Sequence, residues 1–444
     1  MNRHDDGLGR LRRSAGGLSA TLAGFSGFDV KIATIGAGVS GLTAAALLAR
    51  AHDVTLYEAE SRLGGHAHTH AVALGGRTWP VDTGFMVFND RTYPNFIRLM
   101  DDLGIESRAS DMSFSVRCRR CGLELSSRGI DGLFAQRARL LSARHWRLLR
   151  DIFRFFALGR TALARGDESR TLGAFLDEGD FGDDLARHFV LPMGGAIWSA
   201  SSSDMRAFPA ASYLRFMENH GLLAAGGQPT WRTIVGGSRR YVDALAARLG
   251  DGIRAGHPVV RVRRDDAGVE ITTAAGATER FDAVVIGTHA DQALQLLADP
   301  SQEERDALGA FRYSSNDTWL HSDERFLPGE PDAQASWNCD LLDCQQPDSP
   351  VSVTYDLNRL QGHRPGQALL CSLNPLQGIE GPVHARMHYT HPILDGPAIA
   401  AQPRVAALNG QRRTWYCGAH LRYGFHEDGV MSALAVVKGF GLGA

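Results

Sequence analysis

Residues 30–58 hold the pattern that most constrains the fold of this chain. A β-branched run, Val30 to Ile35, is followed by Gly36-Ala37-Gly38-Val39-Ser40-Gly41, by an apolar stretch from Leu42 to Arg50, and by a second β-run that ends at Glu58. This order predicts a buried strand, a tight glycine turn, a helix and a second parallel strand. The sequence therefore predicts a dinucleotide-binding α/β unit in this region.

Each glycine of the turn has a physical task in such a unit. Gly36 allows the tight turn, Gly38 lets a pyrophosphate approach the backbone, and Gly41 lets the helix pack closely against the strand. The helix N-terminus around Ser40 offers free N–H groups and the positive end of the helix dipole to phosphates. Glu58 follows at the distance, about 20 residues, where a carboxylate accepts hydrogen bonds from ribose hydroxyls.

The segment after Glu58 resembles a longer motif of one flavoprotein superfamily. Glu58-Ala59-Glu60-Ser61-Arg62-Leu63-Gly64-Gly65-His66 is similar to the E-x-x-x-R-x-G-G-R stretch of FAD-dependent amine oxidases, phytoene desaturases and protoporphyrinogen oxidases. The resemblance implies FAD as the cofactor, with Arg62 at its pyrophosphate and Gly64-Gly65 close to the flavin. His66 stands where these families have arginine, so its expected place is beside the flavin.

Four later segments extend the resemblance. The strand from Thr78 to Phe85 is similar to one whose glycine, here Gly84 after Thr83, lies against the isoalloxazine ring. Val259 corresponds to a residue whose backbone meets the adenine. The remaining correspondences are a buried strand and its small-residue turn, Phe281 to His289 with Thr288, and a C-terminal strand, Thr414 to Ala419, with Gly418 at the pyrophosphate.

A helix is predicted to follow, from His426 to about Lys438. Asp428 is the predicted N-cap, because a carboxylate there satisfies free backbone N–H groups. By the resemblance, Gly429 and Val430 would then face the N1–C2=O edge of the flavin. The positive end of the helix dipole would favour negative charge at that edge.

The predicted FAD-binding pieces are separated along the chain, so the domains must be interleaved. Residues 29–90, 225–295 and 405–444 are predicted to form the FAD-binding domain, and residues 91–224 and 296–404 the substrate domain. The expected fold class is α/β, with a glutathione-reductase-like Rossmann FAD-binding domain interleaved with an α+β substrate domain. The apolar run Ile32 to Ala49 is interpreted as strand and helix and not as a membrane span, and residues 1–28 as a disordered extension.

Candidate reacting groups are few, because FAD itself carries the chemistry of hydride transfer. His66, His420 and His426 are the candidate acid–base or hydrogen-bonding groups beside the flavin. Many amine oxidases place a lysine near flavin N5, but the two lysines of this chain, Lys31 and Lys438, are not placed for that task. The predicted substrate pocket is aromatic and apolar, with Trp198, Tyr213, Trp337 and Tyr355 in its lining.

The chain is also similar to a bacterial branch of predicted NAD/FAD-binding proteins, through Gly64 to Thr69, Gly84 to Asn89 and Tyr423 to Gly429. Genes of that branch often lie beside cyclopropane-fatty-acyl-phospholipid synthases, which implies an acyl lipid as substrate. The leading hypothesis is therefore an FAD-dependent desaturase or oxidase of a hydrophobic, lipid-like substrate. An amine oxidase releasing hydrogen peroxide and a non-catalytic flavin-bound accessory of a lipid-modifying enzyme remain open.

Composition limits the partners and the metal content. The net charge of −2 argues against nucleic acid as a partner. Six cysteines do not make a disulfide framework, so we expect a cytoplasmic location, with peripheral attachment to the inner membrane as an alternative. An Arg- and aromatic-rich helix, His145 to Leu158, is the candidate membrane contact. Cys118-Arg119-Arg120-Cys121 has zinc-ligand spacing, but Cys339 and Cys344 lie far along the chain. We interpret Cys118 to Gly122 as a hairpin turn and predict no metal.

Overall fold

The computed structural model describes residues 30–166, 170–198, 201–224, 226–346 and 351–443. The predicted extension, residues 1–28, lies outside the described residues. The strands are β1 Lys31–Ile35, β2 Asp53–Glu58, β3 Thr69–Leu74, β4 Arg77–Asp82, β5 Phe88–Asn89, β6 Ser107–Ala109, β7 Phe114–Cys118, β8 Glu124–Ser126, β9 Trp231–Ile234, β10 Ile253–Ala255, β11 Val259–Asp265, β12 Gly268–Thr273, β13 Thr278–Phe281, β14 Ala283–Ile286, β15 Arg312–His321, β16 Trp337–Leu341, β17 Val351–Asp356, β18 Leu370–Leu373, β19 Val383–Ile393 and β20 Thr414–Tyr416.

The α-helices are α1 Val39–Leu48, α2 Pro94–Asp102, α3 Gly129–Leu133, α4 Ala143–Arg165, α5 Leu172–Glu178, α6 Asp183–Leu185, α7 Leu191–Trp198, α8 Ser202–Ala207, α9 Ala210–Asn219, α10 Arg239–Ala247, α11 Ala290–Leu296, α12 Gln302–Leu308, α13 Leu357–Gln361, α14 Gly396–Leu408 and α15 His426–Gly439. A π-helical segment, Ala186–Val190, joins α6 to α7. Among the described residues, no helix is long and apolar enough to cross a membrane.

The central sheet is parallel and has the order β10-β2-β1-β14-β20. Its strands are apolar on both faces, because both faces are covered. Ile32, Leu56 and Val285 face a core shared with α1, α10 and α15. Ala33 and Ile286 face a second core, shared with β11–β13, α11 and α14. The predicted α/β class is confirmed.

A second, seven-stranded sheet has the order β19-β15-β18-β17-β16-β7-β8. Neighbouring strands are antiparallel except β16 and β7, which run parallel with Trp337 opposite Phe114 and Leu341 opposite Cys118. A helical layer made of α4 to α9 packs against β7 and β16 through a separate apolar cluster. All strands of the central sheet fall in the predicted FAD-binding segments, and all strands of the seven-stranded sheet in the predicted substrate segments. The domain boundaries themselves stay a prediction.

Several local predictions change in the second sheet and its helices. The predicted hairpin is present as β7 and β8, whereas α4 extends well beyond the predicted His145 to Leu158. Its Trp146 and Phe153 are about half exposed, and contact of this helix with a membrane stays a prediction. The interpretation of Cys118 to Gly122 as the hairpin turn is confirmed, since the Gly122 N–H donates to the Cys118 carbonyl. Cys344, far along the chain, nevertheless lies next to this turn in space.

A buried carboxylate joins the two halves of the structure. Both oxygens of Asp82 accept the backbone N–H of Ser238 at 2.9 and 3.0 Å, and Oδ1 also accepts hydroxyls of Ser238 and Thr69. The side chain of Gln361 bonds the Asp82 backbone in both directions. Burial raises the pKa of Asp82 to about 6 in spite of these donors. The end of β4 is thereby tied to the start of α10 and to α13.

The tightest contact of the fold lies where α1 begins. A Cβ atom added to Gly41 would stand 2.0 Å from the carbonyl oxygen of Gly36, and one added to Gly287 would stand 2.9 Å from Gly41 Cα. Gly36 also has φ +95°, a conformation that favours glycine. Three glycines therefore let the ends of β1 and β14 meet the first turn of α1.

We predict that Gly41→Ala lowers the free energy of unfolding by at least about 2 kcal/mol, because the methyl group forces α1 off the sheet. Denaturant titration of the cofactor-free protein measures this. Gly38→Ala is the matched control, since no atom lies within 4 Å of an added Cβ there. Equal stability of the two variants would contradict the close contact at Gly41.

Candidate active site

A cavity of about 1010 Å³ lies between the central sheet and the seven-stranded sheet. One part, here called the nucleotide end, is formed by residues that follow the strands of the central sheet, with the β2–β3 connection: Gly36, Gly38, Ser40, Glu58, Ala59, Arg62, Gly64, Gly65, Thr288 and Gly418. The other part, here called the substrate end, is formed by the seven-stranded sheet and the helices α7 and α9 with their neighbours: Met112, Phe114, Met193, Ile197, Phe216, His220, Trp337, Tyr355 and Tyr389.

Glu58 organises the nucleotide end. Its Oε2 accepts the backbone N–H of Ala37 at 2.7 Å, and its Oε1 accepts that of Glu60 at 2.9 Å. These bonds hold the carboxylate beside the glycine turn. Helix α1 has Gly38 at its N-cap without a side-chain cap, so its first N–H groups stay available to an anion.

A second glycine turn closes over the first. Gly64 has φ +110° and donates its N–H to the Ala37 carbonyl at 2.9 Å. A Cβ atom on Gly65 would stand 3.1 Å from Gly38 Cα. The guanidinium of Arg62 donates to the Gly65 carbonyl at 2.8 Å and pairs with Glu60. An arginine thus stands at the edge of a groove lined by backbone, which is the donor set that a pyrophosphate needs.

The middle of the cavity is lined by Gly84, Phe85 and His66. A Cβ atom on Gly84 would stand 2.1 Å from the His66 carbonyl oxygen, so this position requires glycine. The Phe85 ring stacks on His426 with centroids 3.5 Å apart. The Nε2 atom of His66 is buried and has no hydrogen-bond partner among the described residues. That atom is free to bond a cofactor or a substrate.

The three histidines predicted beside the flavin have lowered pKa values, which keeps their rings neutral in the protein alone. Burial lowers the pKa of His420 and of His426 to about 3, and holds that of His66 well below its ordinary value. His426 Nε2 lies 3.0 Å from the Tyr241 hydroxyl. The predicted roles of these three histidines stay predictions; a neutral ring can donate and accept hydrogen bonds and can accept a proton, but it is not a ready proton donor.

Helix α15 begins at His426, the predicted first residue, but its N-cap differs from the prediction. Phe425 occupies the N-cap position, and the carboxylate of Asp428 accepts its N–H at 3.0 Å. Asp428 therefore lies in the first turn, and the prediction of an Asp428 N-cap is wrong. Gly429 and Val430 are buried against Val39 and Ser40 at the start of α1 and do not line the cavity. The cavity reaches α15 at Phe425 and His426.

Two predicted pocket residues are also placed elsewhere. The Tyr213 side chain is fully buried, and its hydroxyl donates to the Val190 carbonyl at 3.0 Å. Trp198 packs between Phe208 and Phe216. Both lie inside the helical layer, because their helices turn these side chains away from the cavity. Trp337 and Tyr355 line the cavity and meet edge to face at 4.9 Å.

Of the remaining predicted cofactor residues, some lie behind the cavity lining and others form part of it. Thr83 is buried, and its hydroxyl lies 2.8 Å from the Tyr389 hydroxyl. Gly41 takes part in the packing of α1 on the sheet. Val259 lines the cavity, as do His420 and Gly418.

Strand β19 supplies a wall that sequence reasoning missed. Its residues His388, Tyr389, Thr390 and His391 line the cavity, and so do His289 and Tyr313. The rings of His66 and His391 lie 5.2 Å apart. The available signal was a cluster of histidine and tyrosine in one β-run, His388-Tyr389-Thr390-His391. Their contact with His66 arises only from tertiary structure.

Both lysines lie away from the cavity. The Lys31 ammonium pairs with Glu279 at 2.8 Å, and Lys438 lies in the last turn of α15. Charged residues in the described lining are Glu58, Glu60 and Arg62, all at the nucleotide end. The substrate end is therefore apolar and aromatic, with neutral histidines.

The groove fits FAD on three structural grounds. It has two glycine turns that admit a pyrophosphate, an acid fixed beside the first turn, and an unpartnered His66 Nε2 further along. Residues from Gly36 to Arg62 would hold the nucleotide, and those around Gly84 would meet the ring system.

Comparison with known proteins agrees with this geometry. The model of the family described as flavin containing amine oxidoreductase matches residues 39–340. An L-amino acid dehydrogenase of Synechocystis is 26% identical over 56% of this chain and 54% of its own length. A putative flavin-containing monoamine oxidase, AofH, of Mycobacterium tuberculosis is 27% identical over 57% of this chain and 55% of its own. The chain spans about half the length of these curated relatives.

Solved structures share the fold. A CLA-producing fatty acid isomerase from P. acnes superposes with a TM-score of 0.62 at 17% identity, covering 93% of this chain and 99% of that one. Cyclohexylamine oxidase from Brevibacterium oxydans gives a TM-score of 0.64 at 18% identity, with the same coverage of both chains. At these identities the likeness concerns the fold alone.

We predict that Glu58→Ala weakens FAD binding about 10- to 100-fold, because a charge-assisted hydrogen bond is lost at the ribose. Fluorescence titration of the flavin-free protein with FAD measures the change in Kd. Asp53→Ala is the control, since Asp53 is exposed at the opposite end of β2. An unchanged Kd for the Glu58 variant would show that its carboxylate does not bind the cofactor.

Proposed function

The chain belongs to the family of flavin containing amine oxidoreductases, and from this premise we propose that it removes hydride from a hydrophobic, uncharged substrate of the acyl-lipid type. FAD is its cofactor, as the family and the groove agree, and the chain is an FAD-dependent oxidoreductase. What the proposal adds is the class of substrate.

The observation that carries the proposal is the absence of charge at the described substrate end. Met112, Phe114 and Ile197 offer apolar surface, while the charged lining residues all lie at the end of β2 or just after it. An ammonium or carboxylate group entering this space would lose its hydration without gaining an ionic partner, which costs several kcal/mol. An acyl chain would lose only its contact with water, and its burial is favourable.

The residues of the chain position the substrate and keep water out. FAD, when bound, accepts the hydride. Trp337 and Tyr355 form one aromatic wall, and Tyr389 forms another that is fixed by its hydrogen bonds to Thr83 and His68. These contacts hold the rings rigid, so an apolar substrate is oriented by shape.

A neutral hydrogen-bonding group stands between the two ends. Asn316 Nδ2 lies 3.0 Å from His391 Nδ1, and Asn374 donates to the Asn316 oxygen, which fixes the amide orientation. His391 therefore carries its proton on Nε2. Burial lowers its pKa to about 4. A neutral His391 can orient a carbonyl or hydroxyl of the substrate without requiring a charged head group.

Amine oxidation is the second candidate, and the names of relatives favour it. Several similar proteins are named for amine or amino acid substrates. The aromatic walls could accept an alkylamine in its neutral form. A non-catalytic accessory role is the third, and it would leave the flavin unreduced with every substrate.

Anaerobic bleaching of the flavin absorbance distinguishes the candidates. The substrates are sets of matched chain length whose members carry an ester, an alcohol, an amine or an α-amino acid group. We expect the uncharged acyl members to reduce the flavin, and the amine to reduce it no faster than they do. Preferential reduction by the amine, with hydrogen peroxide in air, would establish amine oxidation instead. Full flavin loading without reduction by any member would favour the accessory role.

Met112 offers a substitution that tests the same point. Met112→Asp places a carboxylate at the substrate end, and we expect it to slow flavin reduction by uncharged substrates at least about tenfold. Met112→Leu keeps size and polarity and should retain the rate. Flavin content should be equal in both, because Met112 lies at the substrate end. A faster reaction of the Asp variant with acyl substrates would contradict the proposal.

A further inference from the structure

A second group of possible ligands lies outside the cavity, at the C-terminal ends of β7 and β16. Cys118, Cys121, His188 and Cys344 direct three sulfur atoms and one ring nitrogen to one point, all within 4.8 Å of one another. Cys121 Sγ lies 3.4 Å from His188 Nε2. Within the described ranges, no other group of three or more histidine, cysteine or acidic side chains is suited to hold a metal ion. None of the six cysteines is in a disulfide.

The local folding of the hairpin presents the first two sulfurs together. Cys118 ends β7, and its N–H donates to the Leu123 carbonyl at 2.8 Å. Gly122 takes φ +65° and donates to the Cys118 carbonyl at 2.9 Å. This tight turn brings the sulfurs of a C-x-x-C segment to one side, as zinc-binding turns do.

Two other elements bring the remaining ligands. Strand β16 runs parallel to β7 with Leu341 opposite Cys118, so Cys344, three residues further, reaches the same edge. His188 comes from the π-helical segment that precedes α7. Such π-helical turns are rare and are frequently found at functional sites.

The other ring nitrogen of the histidine has a carboxylate beside it, where metal-bound histidines commonly have one. Its Nδ1 lies 3.4 Å from Asp184 Oδ1. Asp184 is held by Arg144, whose Nε and Nη2 donate to its two oxygens at 2.5 Å each. A carboxylate on one ring nitrogen turns the other nitrogen, Nε2, towards the sulfurs.

We propose that these four residues bind one Zn²⁺ ion in a structural Cys3His site. Thiolates with one imidazole are the ligands that zinc prefers. With Zn–S bonds of about 2.3 Å and a Zn–N bond of about 2.0 Å, the ligand atoms of a tetrahedral site lie about 3.5–3.8 Å apart, so closure needs movements of about 1 Å. Four protein ligands leave no open position, which is typical of a structural and not a catalytic ion. The proposal replaces the expectation of no metal.

The site would fix the wall of the substrate end from behind. Strand β7 carries Phe114 in the cavity and Cys118 in the cluster, and β16 carries Trp337 in the cavity and leads to Cys344. The π-helical segment carries His188 in the cluster, and α7, which follows it, carries Ile197 in the cavity. The ion would hold these three elements in register about 13 Å from the cavity, by the rise of four strand residues. This role does not depend on which substrate the protein oxidises.

Metal analysis of the purified holoprotein tests the proposal. We expect about one zinc per chain by elemental mass spectrometry, falling at least tenfold in Cys121→Ser and in Cys344→Ser. Cys339→Ala is the matched control, since Cys339 lies on β16 outside the cluster. Chelation should lower the Tm by at least about 5 °C while the flavin-to-protein ratio is unchanged in the cold.

Cobalt gives a spectroscopic test that does not rely on stability. The reduced, metal-free protein should bind one Co²⁺ with thiolate-to-metal bands and with d–d bands at longer wavelengths than FAD absorbs, and both should vanish in Cys121→Ser. Failure of the reduced wild-type protein to bind zinc or cobalt would overturn the proposal. A disulfide among these cysteines that persists under reductant, or full zinc content in the Cys121/Cys344 double variant, would overturn it equally.

Discussion

The fold depends on one steric constraint, the meeting of three backbones at Gly36, Gly41 and Gly287. The distance of 2.0 Å from a Cβ on Gly41 to the Gly36 oxygen shows that no side chain fits there. This contact sets α1 against β1 and β14 and directs its uncapped N-terminus into the cavity. The groove for the nucleotide is thus a consequence of backbone packing, and the second turn at Gly64-Gly65 completes it by closing over Gly38.

Interleaving of distant segments follows from the central sheet. Its strands lie at 31–58, 253–286 and 414–416 in the sequence, and each return of the chain leaves a segment free to build the seven-stranded sheet. The buried carboxylate of Asp82, at the end of β4, accepts hydrogen bonds from Ser238 and Thr69 and thereby ties β4 to the start of α10. Because the cavity lies between the two sheets, its two ends are lined by different kinds of groups. The central sheet contributes backbone and charge, and the second sheet contributes aromatic and apolar side chains.

Strands β7 and β16 carry the cavity wall at one end and lead to the proposed zinc site at the other. At one end Phe114 and Trp337 line the cavity, and at the other Cys118 and Cys344 approach His188. A bound metal ion would make the cavity wall rigid without touching the reaction. For the uncharged substrate that we propose, orientation would depend on the shape of the wall and on a hydrogen bond to His391, so a rigid wall would help to position it.

The sequence by itself determined the nucleotide half of the molecule. Glycine spacing, the acid at Glu58 and the apolar strand pattern are local, so Gly38, Arg62 and Gly64 could be named before the fold was known. Tertiary structure alone decided the rest. The side chains of Trp198 and Tyr213 turn into the helical layer, β19 brings His391 to His66, and Phe425 replaces Asp428 at the start of α15. Cys344 meets Cys118 only because β16 and β7 run parallel, a pairing between residues more than 200 positions apart that no local spacing encodes.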